Sequence, residues 1–235
     1  KTLMDKTLID LGTELLATRN TSISTLIHPE KGAVRGTLLY DSNNVKNYWF
    51  EHLLTKFSTN KSKSTIFETL TYSTSVDCPT GSQCYLYSEA IDQDIHIPKG
   101  YVCDKPTLII SSKDIYIDPN INSGTELSGC IFLAQNNIYI GAGDYKSTEA
   151  KIMYDYIEGF LIADNQVIFP MVDISKTLRD GIEVFGGIVA LGSDTDTSNA
   201  AVSIERNLRL FNQTNPSLVL TYDNKYSSIA SLFFG

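Results

Sequence analysis

One short signature returns four times along this chain: Ile95-His-Ile97, Ile115-Tyr-Ile117, Ile138-Tyr-Ile140 and Val167-Ile-Phe169. Each copy alternates apolar, variable, apolar, which is the mark of a strand with one face buried. Seven residues before Ile115, Ile138 and Val167 a second apolar run begins: Leu108-Ile-Ile110, Ile131-Phe-Leu133 and Phe160-Leu-Ile162. Small or polar corner residues separate the two runs: Ser-Ser-Lys, Ala-Gln-Asn and Ala-Asp-Asn. The anchors Ile95, Ile115, Ile138 and Val167 stand 20, 23 and 29 residues apart. The repeating unit is therefore strand, tight corner, strand, then a loop of variable length.

A fixed core with a variable loop predicts a mainly β fold, a parallel β-solenoid (β-helix) of about five or six coils. Each coil buries its inward residues on the same residues of the next, and insertions stay in the loops. Ile95, Ile97, Ile115, Ile117, Ile138, Ile140, Val167 and Phe169 are the expected core. Looser copies extend the series through Tyr85-Leu-Tyr87, Gly181–Leu191 and Ala201–Ile204. At the usual ~4.8 Å between strands the stack would be roughly 25–30 Å long. The competing reading is a sandwich of hairpins, which the scarcity of Asn-Gly and Asp-Gly turns disfavours.

The residues between the inward pairs, His96, Tyr116, Tyr139 and Ile168, should point outward. The second runs are apolar at every position, as in strands buried on both faces. Something must cover that side, and the N-terminal third supplies candidates. Leu3 to Leu16 carry a helical stripe, and Tyr48–Phe57 reads as a helix with Trp49, Leu53 and Phe57 on one face. Residues 58–80 read as a Ser/Thr/Lys-rich loop. The expected division is a helical and loop region, 1–80, packed on the outer face of a solenoid body, 81–235. The apolar end Ile229–Gly235 is expected to fold back as a cap on the last coil, because a solenoid end is an open sheet edge.

Charge excludes one class of partner. With Lys+Arg 19 against Asp+Glu 27, the net charge is −8, so no nucleic-acid partner is expected. No transmembrane segment is expected either, since no apolar run approaches the ~18 residues of a span.

The chain has four cysteines, Cys78, Cys84, Cys103 and Cys130, and no CxxC pair. Cys78 and Cys84 flank a turn-rich loop and are the first disulfide candidates, which leaves Cys103–Cys130 as the second pair. The nearest approach to a metal loop is Asp194 and Asp196 within Asp194–Asn199. It lacks the glycine and closing glutamate of an EF-hand, and an exposed polar loop is the ordinary reading. No cofactor is expected.

Catalysis has few footholds. No Walker loop, GxSxG, HExxH or GxGxxG occurs, so no catalytic residue is assigned. Asp94 and Asp114 share one repeat position and would stack about 5 Å apart, the spacing of a retaining glycosidase pair. A solenoid gives that spacing to any two residues at one position. In later copies the position becomes Asn137 and Gln166, which favours a polar ladder closing a corner.

The stretches LIISSKDIYIDPNI, GCIFLAQNNIYIGAG, IEGFLIADNQVIF and GIEVFGGIVALGS resemble the C-terminal region of uncharacterised surface proteins of candidate-phylum bacteria. Many of those carry a minor-pilin-like N-terminus. The same pattern continues through Arg206-Asn-Leu208, Pro216 and Tyr222-Asp-Asn-Lys-Tyr226, so the resemblance covers roughly residues 85–226. It implies an exported protein with a β-helical body and transfers no catalytic residue. The pilin-like hydrophobic helix has no counterpart here.

The functional expectation is an exported, non-enzymatic structural or adhesive protein at the cell surface or outside the cell. It would be a subunit of a pilus-like assembly or filament, with copies of itself or other surface subunits as partners. The rivals are a β-helix carbohydrate-active enzyme and a cytoplasmic solenoid scaffold. A groove holding carboxylates and a basic residue would favour the first, and reduced cysteines the second.

Overall fold

Every strand pairing among the described residues of this protein is parallel. The computed structural model describes residues 48–63, 67–69, 85–124, 127–141, 154–170, 181–190, 192, 201–206 and 216–235. All lie in one compact unit, Asn47–Gly235. The helical stripe Leu3–Leu16, the Cys78/Cys84 pair and the Asp194/Asp196 loop fall outside the described residues.

The strands are β1 (Phe67–Thr69), β2 (Tyr85–Ala90), β3 (Ile95–Ile97), β4 (Val102–Cys103), β5 (Pro106–Ser111), β6 (Ile115–Ile117) and β7 (Asn122–Ser123). They continue with β8 (Gly129–Ala134), β9 (Ile138–Ile140), β10 (Tyr154–Ala163), β11 (Val167–Phe169), β12 (Gly181–Ala190), β13 (Val202–Ile204) and β14 (Leu218–Tyr222). The larger sheet has the order β1-β2-β5-β8-β10-β12-β14, and the smaller β13-β11-β9-β6-β3. The chain alternates between the two, crossing at short corners. All-parallel pairing rules out hairpins among these strands and with them the sandwich.

Register explains the sequence repeat. Ile95 pairs with Ile115, Ile115 with Ile138, Ile138 with Val167, and Val167 with Val202. The N–H of each of the first four donates to a carbonyl at the following level: Ile95 to Asp114 (3.0 Å), Ile115 to Asn137 (2.9 Å), Ile138 to Gln166 (2.8 Å) and Val167 to Ala201 (3.0 Å). Ile95, Ile97, Ile115, Ile117, Ile138, Ile140, Val167 and Phe169 are all buried in a single core. The opposite wall of that core is supplied by Ile109, Phe132 and Leu161 of the larger sheet. Full burial of each such side chain is worth about 1.5–3 kcal/mol.

A third line of strands was not legible in the repeat. β4 pairs with β7, and an Ile121–Ile157 bridge joins that line to the first half of β10. The first half of β10 pairs with that of β12, which alone pairs with β14. The ten-residue strands β10 and β12 thus each serve two lines. Both carry glycine at the change of line, Gly159 and Gly186, which are register partners. Gly186 has φ +145°, and a Cβ there would run into the Gly159 carbonyl oxygen, so only glycine fits.

The outer face of the larger sheet is covered by two helices, α1 (Tyr48–Lys63) and α2 (Lys225–Phe234). Phe50, Leu53 and Phe57 form the buried face of α1, and Tyr226, Ile229 and Phe233 that of α2. Phe57 lies 5.3 Å from Tyr87 and 6.2 Å from Phe233, ring centre to ring centre. This cover accounts for the runs Leu108–Ile110, Ile131–Leu133 and Phe160–Ile162, buried throughout.

Two expectations need correction. Residues 58–80 are not all loop: α1 continues to Lys63 and β1 begins at Phe67. The polar side chains that suggested a loop are used inside the helix, Thr59 Oγ1 donating to the Thr55 carbonyl (2.9 Å) and Ser62 Oγ to that of Thr59 (2.8 Å). The C-terminal segment, expected as a cap over the last coil, is instead helix α2 lying across the sheet face. Phe233 reaches Tyr85 of β2, with ring centres 6.2 Å apart. Its apolar residues cover a face already too apolar for water.

Candidate functional site

Four features of the fold are candidates: the corner carboxylates, the outward aromatic residues, a cluster beside α2, and the last strands of the stack.

Asp94 and Asp114 stand one residue before the anchors, at the mouth of each corner. Asp114 N–H donates to Asp94 Oδ1 (3.2 Å), and Asn137 donates to Asp114 Oδ1 from both its backbone N–H (2.9 Å) and its Nδ2 (3.2 Å). Each carboxylate is therefore an acceptor for the next corner, and the column Asp94–Asp114–Asn137 is a polar ladder. Neighbouring columns do the same work: Ser111 Oγ donates to the Gln93 carbonyl (2.8 Å), and Asp92 N–H to Ser112 Oγ (2.7 Å). A retaining glycosidase needs its carboxyls facing each other across a substrate. These face along the stack.

His96, Tyr116 and Tyr139 point outward and stack face to face, with ring centres 4.6 and 5.0 Å apart and planes within 7° and 9°. Burial in the stack raises the Tyr116 phenol above its ordinary pKa, and the Asp114 and Asp94 carboxylates add to the rise. Tyr139 is raised for the same first reason and by Asp114. Tyr116 is stacked on both faces, between His96 and Tyr139, and His96 at the end of the ladder is exposed.

A third cluster gave no signal in the sequence. Lys225 Nζ donates to Ser123 Oγ (2.6 Å) and lies 3.6 Å from Asp223 Oδ2. Ser123 donates to Glu158 Oε2 from its backbone N–H (2.7 Å) and its hydroxyl. A serine beside a lysine suggests a nucleophile with its base. Here the serine proton is directed at Glu158, and Lys225 is a donor, held by Ser123 and Asp223. The cluster clasps the first turn of α2 to β7. Only the fold brings together residues separated by 102 in sequence.

Asp164 is a further residue that the sequence did not single out. It occupies a corner, is buried, and accepts the Phe50 N–H at the start of α1 (2.9 Å). A carboxylate there satisfies one of the free helix N–H groups and complements the helix dipole.

The Cys103–Cys130 disulfide lies in the core and joins β4 to β8, with a Cα–Cα distance of 5.6 Å. Among the described residues no group of three His, Cys, Asp or Glu is placed to hold a metal, and no helix is long and apolar enough to cross a membrane. A cleft of about 260 Å³ beside α1 is lined by Phe50, Glu51, Leu54, Glu89 and Asp92 among others; Lys61 lies 3.9 Å from Glu89.

The fourth feature is the end of the stack. Down one column of the smaller sheet, relative exposure runs 1% at Ile97, 1% at Ile117, 0% at Ile140 and 0% at Phe169, then 46% at Ile204. The third line of strands behaves alike: Val184 is 0% exposed and its register partner Leu220 is 52%. The repeat pattern continues into the last strands, where Val202 and Leu218 still pack partly buried on the core while Ile204 and Leu220 meet water.

Compared with protein-family models, curated proteins and solved structures, the chain matches none.

Proposed function

We propose that the three lines of strands are the three walls of a β-solenoid of five coils, and that the protein is an exported structural or adhesive surface protein. The coils are β2-β3-β4, β5-β6-β7, β8-β9 with the first half of β10, the rest of β10 with β11 and the first half of β12, and the rest of β12 with β13 and β14. Its task is presentation: a rigid stack holds loops of variable length, and an interface, at a surface. The stiffness arises from laddered corners, in-register isoleucines and stacked outer rings, which repeat from level to level.

The single observation that carries the export reading is the Cys103–Cys130 bridge inside the core. Disulfides of this kind persist in oxidising compartments and are rare in the cytosol. Mass measurement of native protein, alkylated before and after reduction, tests it. Cys103 and Cys130 resisting alkylation until reduction fits export. Both thiols alkylated in freshly isolated, denatured protein would favour the cytoplasmic scaffold. The carbohydrate-active alternative loses its main candidates, because Asp94 and Asp114 are committed to the corners.

A further inference from the structure

We infer that Tyr116 and Tyr139 are an oxidative modification site, at which a haem peroxidase working with hydrogen peroxide couples the two rings into a dityrosine that staples one level of the stack to the next. The inference rests on the register of β6 and β9, and it stands apart from the five-coil and export readings.

The two tyrosines are register partners on adjacent parallel strands. They leave equivalent backbone positions on the same face, so like atoms of the two side chains lie over one another at the strand spacing of ~4.8 Å. Their ring centres are 5.0 Å apart and their planes within 9°. The ortho carbon of one phenol therefore faces the ortho carbon of the other, and these are the carbons at which phenoxyl radicals join. His96 stacks on the far face of Tyr116, 4.6 Å away, and keeps that ring from turning off its partner. Both tyrosines are part-exposed, so an oxidant can take an electron at their edges.

The surrounding charges suit the step. Burial raises the pKa of both phenols, and the Asp114 and Asp94 carboxylates add to the rise. Both phenols thus keep their protons at neutral pH, and each electron leaves together with a proton. The same negative field that opposes a phenolate favours removal of an electron from the neutral ring. Asn137 Nδ2 donates to the Tyr139 hydroxyl (3.4 Å), so that oxygen is the acceptor there and keeps its own proton for release. Each phenol gives up one electron and one proton, and the two ring radicals form one carbon–carbon bond. The hydrogens on the joined carbons then move to the oxygens. Hydrogen peroxide takes up the two electrons and two protons and leaves as two water molecules. The product ties β6 to β9 on the outside of the sheet, as Cys103–Cys130 ties β4 to β8 in the core. Reductants that open the disulfide leave it intact.

Treating the purified whole chain, at low concentration, with a haem peroxidase and hydrogen peroxide tests this. Dityrosine fluorescence should appear in a species that still migrates as one chain on a denaturing gel. After reduction, a glutamate-specific protease cuts between the two tyrosines at Glu126. The peptides bearing Tyr116 and Tyr139 should remain joined, lighter than their sum by the two lost hydrogens. Tyr116→Phe and Tyr139→Phe keep a stacked ring and should keep the circular dichroism spectrum, but each should abolish the intrachain link. Tyr222→Phe, at an exposed tyrosine, should leave it unchanged. The linked chain should melt roughly 5–10 °C above the untreated one, because a cross-link restricts the unfolded state. No dityrosine within the single chain would overturn the inference. So would a link that survives both phenylalanine variants, links formed only between chains, or a melting temperature that the link leaves unmoved.

Discussion

The first and last strands of the smaller sheet, β3 and β13, are built on one pattern and end in opposite states. In the first, Ile97 is shut in at 1% exposure; in the last, Ile204 holds the equivalent position at 46%. The two side chains are both isoleucine, so the difference lies in the neighbours that each one meets. β3 and β13 are the two outermost strands of the smaller sheet, each with one described neighbour, β6 for Ile97 and β11 for Ile204. Their strand pairing is alike, and only the cover over the side chain differs. Burial at the edge of a stack belongs to what lies over the edge as much as to the residue, and a repeat in sequence cannot say what that is.

Paired substitutions sharpen the contrast. The largest effect is expected from Ile117→Asp, which strands an unpaired charge in the core and should cost several kcal/mol, on the order of 3–5. Ile204→Asp should cost within about 1 kcal/mol, measured by urea unfolding. Equal costs would mean that Ile204 on the outermost strand is as closed in as Ile117 in the interior. Next comes the bridge: replacing Cys103 and Cys130 together by serine should lower stability by about 2–4 kcal/mol, and an unchanged midpoint would place the bridge outside the cooperative core. A smaller loss attends the corner ladder. Asp114→Ala removes an acceptor used twice by Asn137 and should cost about 1–2 kcal/mol, whereas Asp94→Ala, with one longer contact, should cost about half that.

The least effect at neutral pH, and the most in alkali, concerns Tyr226 under α2. Burial holds its phenol well above the ordinary tyrosine range, and Glu158 and Asp223 push the same way. In the unfolded chain the group ionises near pH 10, while the folded chain keeps its proton. Above pH 10 unfolding therefore releases a proton, so stability falls as pH rises past that point. Tyr226→Phe should flatten that decline in thermal melts at about pH 10–11 and leave the acid side unchanged. A decline of undiminished slope would locate the alkaline sensitivity elsewhere.

Much of the fold was legible because period-two alternation and a fixed seven-residue offset are direct consequences of stacked strands. The anchors from Ile95 to Val167 needed no more than that. The third line of strands was not, because β4 and β7 are two residues long and the first half of β10, Tyr-Asp-Tyr-Ile-Glu, carries polar residues, with Asp155 buried against Asn120 (3.2 Å). Helix α1 runs past its expected end because serine and threonine can bond back to the helix as readily as form a loop. The corner ladder was readable from Asp94, Asp114 and Asn137 occupying one position. The Ser123–Glu158–Lys225 clasp was not, since its members share no motif and meet only across three elements.

Residue-resolved hydrogen exchange measures the stack most directly. Four amides, those of Ile95, Ile115, Ile138 and Val167, donate in the same sense to the next level along. They should exchange together, in the slowest class, only on global unfolding. Any of the four exchanging at the rate of an exposed loop would contradict the in-register stack.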